Sequence, residues 1–520
     1  MSAHVPAPAH ATAPRNAVVI LLDSLNRHLL GAYGSDEFET PNLDRVAARS
    51  TRFTNHHAGS LPCMPARHDL LCGSLDFLWR PWGSLELWDE PITRTLRRAD
   101  VVTQLVSDHP HLFETGGENY HCEFTAWDYL RGHEGDLWRT RPDPSWVGAP
   151  RFGRGHSPYD NSRGFFRDEA DFPGPRTMAS AARWLAEDAP HHRDADQRWM
   201  LFVDEFDPHE PFDTPEPWAS RYDPEWDVKV DGPHLMWPPY TGAGLANGML
   251  SERQGRQIRA QYGAKLSMID HHLGRVLDQL DTGGWWDDTA VIVCTDHGHY
   301  LGERDAWGKP AIPLYEPLLH TPLFIHWPGL SSAGTSVEAL STNVDLHATL
   351  CDLFGVETPS ASHGRSLRPL LDGSATSVRG WALAGVWGRE VHVLDDTRKY
   401  VRAPAGTNEP LSMWSNRWST MPLHDFPELR LPNPDDRATL DRMPGSDIPV
   451  IRQPFVDGDL LPFWGYAESL ETLCFDRSVD PDEAHDLVGT SAEREMAELL
   501  RVALTEVSAP DDQFARLGLA

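Results

Sequence analysis

Three unbroken apolar runs, each ending in an acid, constrain this chain more than any other feature. AVVILL at residues 17–22 ends at Asp23, WMLFV at 199–203 leads to Asp204 and on to Asp207, and AVIVC at 290–294 leads through Thr295 to Asp296. Apolar on both faces and short, each reads as a buried parallel strand. Between the second and third runs, Tyr262, Leu266, Ile269, Leu273, Val276, Leu277 and Leu280 recur at spacings of three and four. That stripe marks a helix lying on the sheet, and strand and helix in alternation mean an α/β fold. Ligands of an open parallel sheet gather at the carboxyl ends of its strands, so the acids place the expected site there.

A chain of 520 residues is long enough for one large domain and a smaller one, and 40% hydrophobic with 24% charged residues suits a globular enzyme. The first sixteen residues are Pro/Ala-rich and lack the apolar run of a secretory signal. We expect a disordered tail over 1–15, and no later run is long enough to span a bilayer. Six cysteines without a CxxC pair argue against a disulfide framework or a structural zinc site and for a reducing cytoplasm. The formal charge of −31 argues against nucleic acid and an anionic membrane surface as partners. An anionic ligand, were the site to take one, would have to be drawn by local positive charge screened from the rest beyond roughly 8 Å.

Residues 40–55 give a further helix that opens with Thr-Pro and ends near Thr51. We place a catalytic domain at 16–370 and a smaller C-terminal domain at 371–520. Alternating runs over 380–402 predict antiparallel strands, and the Pro-, Asn- and Asp-rich stretch at 403–455 predicts a long loop or insertion, which could serve a homo-oligomer.

The pentapeptide Cys63-Met64-Pro65-Ala66-Arg67 precedes an apolar-periodic run, so Cys63 is expected to cap a helix with Pro65 in its first turn. Two readings stand: a small buried hydrophobe, or a thiolate or oxyanion site at the helix's positive end. In TDHGHYLGERDAWGK, residues 295–309, Asp296 and His297 form either a polar turn or a metal-binding strand end. There Gly298 would let the chain turn sharply. His209 sits in FDPHEPF, held by Pro208 and Pro211.

CxPxR followed by LLCG resembles the signature of the type I sulfatases, whose motif Cys is converted to formylglycine; Cys72 stands where that family has Thr. The 295–309 segment is similar to the sulfatase and phosphonate monoester hydrolase pattern, and 471–487 to the family's C-terminal turn. The resemblance implies an alkaline phosphatase-like fold: a mixed, mostly parallel central sheet flanked by helices, with a smaller C-terminal α+β domain. It implies a divalent ion, Ca²⁺ first with Mn²⁺ or Mg²⁺ as alternatives, held by Asp23, the modified Cys63, Asp296 and His297. Lys309 would hold an ester oxygen beside Arg67, and His209 would protonate the leaving oxygen. A formylglycine-generating enzyme would act during maturation.

Three departures matter. Asp23-Ser24 replaces the commoner pair of acids, His297 stands where calcium arylsulfatases often have Asn, and the GKWH segment corresponds to Ser107-Asp108-His109-Pro110-His111. The first two look more like the choline-sulfatase and phosphonate-hydrolase branch. In the third, His109 and His111 could substitute as substrate-binding groups, with Asn26 as a further candidate. The expected reaction is hydrolysis of a small-molecule sulfate monoester, with phosphonate monoester or phosphodiester hydrolysis on the same machinery as the alternative. A catalytically dead binding protein would not be expected to keep all these residues.

Overall fold

A computed structural model describes residues 14–141, 158–227, 236–309, 312–330, 333–419, 432–467 and 470–519. The three apolar runs are strands β1 (Asn16–Leu22), β5 (Trp199–Glu205) and β6 (Thr289–Cys294), every residue buried. With β2 (Thr51–Phe53), β3 (Val102–Ser107), β4 (Ala126–Tyr129), β7 (Leu323–His326) and β8 (Ser336–Val337) they form an eight-stranded sheet of order β8-β2-β7-β6-β1-β5-β3-β4. β1 is central and parallel to both β5 and β6, and only β7 runs antiparallel to its neighbours. The sheet is therefore mixed and mostly parallel, as expected.

Period-two alternation sends successive β1 side chains to opposite faces. Val18, Ile20 and Leu22 meet α1 (Pro41–Arg49), α3 (Pro173–Asp194) and α4 (Glu252–Thr282) in one core. Ala17, Val19 and Leu21 join a second core with α2 (Cys63–Cys72) and α5 (Val344–Phe354). The predicted stripe from Tyr262 to Leu280 is wholly buried on α4, inside a helix that runs farther in both directions than the stripe. A Ser251–Gln254 capping box starts α4.

A smaller sheet, β9 (Ala382–Gly385), β10 (Val391–Leu394), β11 (Arg398–Arg402) and β15 (Leu473–Asp476), is antiparallel throughout and packs on α6 (Ser491–Glu506). Leu75, Phe77 and Val344 enter that core, so the two parts share a hydrophobic seam. The 403–455 stretch differs from the expected loop. Its described residues form three antiparallel strands, β12 (Leu411–Ser415), β13 (Thr439–Arg442) and β14 (Pro449–Phe455). Trp414, Met443 and Val450 cluster beneath them, enough apolar surface to hold strands despite the Pro content. The predicted N-terminal tail falls outside the described residues except at its end, where the Arg15 amide donates to the Asp288 carbonyl at 2.7 Å. Among the described residues no helix is long and apolar enough to cross a membrane.

The α4 stripe carries much of the sheet's cover. Leu266→Ala, at a fully buried position, should cost about 2–5 kcal/mol of unfolding free energy in urea denaturation; a loss under about 1 kcal/mol would mean the stripe does not seal that face.

Candidate active site

In the register of the central strands Leu21 lies opposite both Asp204 and Cys294, so Asp23, Asp204 and Asp296 emerge side by side at one sheet end. Arg67 reaches into them from the second turn of α2. Its Nε and Nη2 donate to the two Asp204 oxygens at 2.8 and 2.6 Å, while Nη1 lies 2.9 Å from an oxygen of both Asp23 and Asp296. Asp204 went unassigned in the sequence reading, although its place at the end of the second apolar run is the signal that marks it. Ser24, in the left-handed region at φ 59°, turns its amide onto Asp296 Oδ1 (3.0 Å) and its hydroxyl onto Asp23 Oδ1 (2.7 Å).

Cys63 is the first residue of α2, not its cap; the Ala66 amide already bonds the Pro62 carbonyl. Of the two readings of Cys63, the buried thiol is the one its surroundings favour. Burial foremost, with Asp23 and Asp296 adding to it, pushes the Cys63 thiol well up despite Lys309 and Arg67. Its Sγ lies 3.4 Å from His297 Nε2. His297 Nδ1 sits 2.8 Å from the Gly298 carbonyl, which fixes the hydrogen there and leaves Nε2 a bare donor. Gly298 is required for space rather than for an unusual turn, since a Cβ there would lie 2.0 Å from the Pro317 carbonyl oxygen.

Donor atoms of Asp23, Cys63, Asp296 and His297 lie within 4.8 Å of one another, all buried. The surrounding charge fits a cation. Among the described residues, the buried carboxylates of Asp23, Asp204, Asp296 and Glu210 pair with two buried cations, Arg67 and Lys309. Burial and the Asp296 charge accordingly push the Asp23 carboxyl well up, the response of an acid short of a counter-charge. The two carboxylates and one imidazole of this set suit Ca²⁺, Mn²⁺ or Mg²⁺.

Lys309 Nζ lies 2.7 Å from His209 Nε2 and 3.4 Å from Glu210 Oε1. Because His209 Nδ1 faces the Glu210 carbonyl at 2.7 Å, that nitrogen donates and Nε2 accepts from the ammonium. Burial chiefly, with Lys309 beside it, drives the His209 pKa well below its ordinary value although Glu210 opposes this. The neutral imidazole is thus its resting form, more firmly than the unperturbed value of about 6.5 implies. Glu210, a second residue the sequence reading left unassigned, is kept ionised against its burial by His209, Lys309 and His299.

The substrate-binding candidates separate. His109 is fully buried with neither ring nitrogen hydrogen-bonded, and its Nε2 stands 4.0 Å from Asp23 Oδ2. His111 has one nitrogen on Glu114 and the other 3.0 Å from Glu134. Asn26 does not join the cluster: Nδ2 donates to the His299 carbonyl at 2.8 Å and Oδ1 accepts from the His28 amide at 2.9 Å. Its side-chain amide caps a short 3₁₀ turn.

With that geometry fixed, comparison with known proteins is direct. The sulfatase family model matches residues 15–356. The chain belongs to the sulfatase family. A choline-sulfatase of Rhizobium meliloti is 28% identical over 397 residues, covering 70% of this sulfatase and 72% of that protein. The multifunctional alkaline phosphatase superfamily protein PehA of Trinickia caryophylli is 26% identical over 417 residues, 69% and 77% of the two chains. The phosphonate monoester hydrolase structure of Agrobacterium radiobacter shares the fold at a TM-score of 0.64, with 19% identity over 95% of this chain and 96% of that one.

His111 yields a pH prediction. Burial alone would strip its proton, but Glu114 and Glu134 outweigh this and push its pKa to about 10. A raised folded-state value means stability present in full below the unfolded pKa of about 6.5 and lost as pH rises through about 10. The stability gap between wild type and His111→Gln should therefore be widest near neutral pH and close toward about pH 10 in denaturant titrations; a gap independent of pH would contradict the ion pairs.

Proposed function

We propose that this sulfatase hydrolyses a small-molecule sulfate monoester, with Cys63, matured to formylglycine by a generating enzyme, as the precursor of the nucleophile. The observation that carries this is the setting of Cys63: a buried side chain lies among carboxylate and imidazole groups that could hold a metal ion. A formylglycine there supplies a hydrated aldehyde in place of the thiol, and a divalent ion held by Asp23, residue 63, Asp296 and His297 supplies fixed positive charge beside it.

The chain's own residues supply the rest. Arg67, locked on Asp204, holds its guanidinium against the ligand carboxylates and so fixes their positions. The Lys309 ammonium, 3.5 Å from Ser24 Oγ and near the Cys63 side, offers its charge to an ester oxygen. His209 accepts from Lys309 in the resting site, so the proton for the leaving oxygen comes from the Lys309–His209 pair, not from a standing imidazolium. His109, neutral through burial and the nearby Arg67, is the one histidine of the 107–111 segment with nitrogens free for a substrate oxygen. Six unbonded cysteines support work in a reducing compartment such as the cytoplasm.

Phosphonate monoester or diester hydrolysis is the second reading, favoured by the Asp23-Ser24 and His297 combination in the cluster. After co-expression with a generating enzyme, the Cys63 peptide should carry the aldehyde by mass spectrometry, and aryl sulfate should be turned over faster than aryl phosphonate. Lys309→Ala should lower kcat about 10²–10³-fold. Intact thiol only would sink the mechanism, and a large phosphonate preference would move the chain to the second reading.

A further inference from the structure

α2 carries a second cluster at its other end, about 14 Å along the axis from Cys63. His68 and Cys72, four residues apart, share one helix face, and the chain returns to set Asp89 against them. One donor atom from each lies within 4.8 Å of the others, and all three residues are buried. His68 is prepared as His297 is. Its Nδ1 sits 3.2 Å from the Ser74 carbonyl, which directs Nε2 toward the other two donors. That nitrogen lies 3.0 Å from Asp89 Oδ1, so imidazole and carboxylate already face each other in a buried place.

The local charge asks for a cation. Asp76, Glu86 and Asp89 surround a single guanidinium, Arg80, at 2.6, 3.1 and 3.6 Å. His68 and Asp76 also line a cavity of about 460 Å³ that offers a path in and room for water. The helix's carboxyl end adds its own negative potential.

We propose that His68, Cys72 and Asp89 form a second metal site, separate from the one at Cys63, that takes Zn²⁺. One nitrogen, one sulfur and one oxygen make a borderline-soft set suited to that ion, with the open position left to water. The absence of a CxxC pair had argued against a zinc site; a helical His-x₃-Cys completed by a distant carboxylate escapes that pattern. Cys72 is also where type I sulfatases have Thr, so the site is a feature of this chain. Bound metal would tie the end of the nucleophile's helix to the 76–89 segment.

The test uses full-length protein with Cys63→Ser and Cys122→Ser, which removes the other candidate thiolate ligands near imidazoles. Metal-stripped and loaded with Co²⁺, it should show a near-ultraviolet thiolate-to-cobalt charge-transfer band that Zn²⁺ abolishes. Adding Cys72→Ser should remove the band, and Asp89→Asn should weaken Co²⁺ binding at least tenfold, with circular dichroism confirming the fold. No band in the folded background protein, or a band that survives Cys72→Ser, would overturn the proposal.

Discussion

The Arg67 guanidinium is the interaction on which the site depends. It makes a bidentate pair with Asp204 and touches Asp23 and Asp296, so one side chain from α2 joins the ends of three strands. Those strands are fully buried and their acids could not remain there uncompensated. Removing a partner from such a buried network costs about 3–5 kcal/mol, which makes Arg67 as much a part of the fold as of the chemistry. The helix that presents Cys63 is thereby pinned to the sheet end that presents its partners.

A second consequence concerns charge. The chain is strongly acidic, at −31, yet its site must receive an anion. The structure resolves this by burial: Lys309 and Arg67 lie within a few per cent of full burial, where their fields are screened little by solvent. Four carboxylates hold them in place and leave an excess of negative charge that a divalent ion would balance, so a metal and an anionic substrate would share one arrangement.

Much of this was legible in the sequence because apolar runs and their terminal acids report burial and strand polarity together. The α4 stripe and the antiparallel run over 380–402 were readable for the same reason of periodicity. Hydrogen-bond destination was not. Nothing in FDPHEPF says that Lys309 would find His209 Nε2, or that Glu210 would back the pair. Asn26 looked as available as His109, and only the fold shows its amide spent on His28 and His299. The 403–455 strands were hidden because Pro and Asn dominate their composition while Trp414, Met443 and Val450, far apart in sequence, supply the core.

The central claim is that buried acids at the ends of three adjacent strands, short of positive charge, create a site for one divalent ion beside residue 63. Calorimetric titration of Ca²⁺ and Mn²⁺ into chelator-stripped protein tests it most directly, with Asp296→Asn as the comparison. The account predicts binding of at least one of these ions at one per chain, lost or weakened by at least tenfold in Asp296→Asn. Wild-type protein that binds neither ion, or Asp296→Asn protein that binds as tightly as wild type, would contradict it.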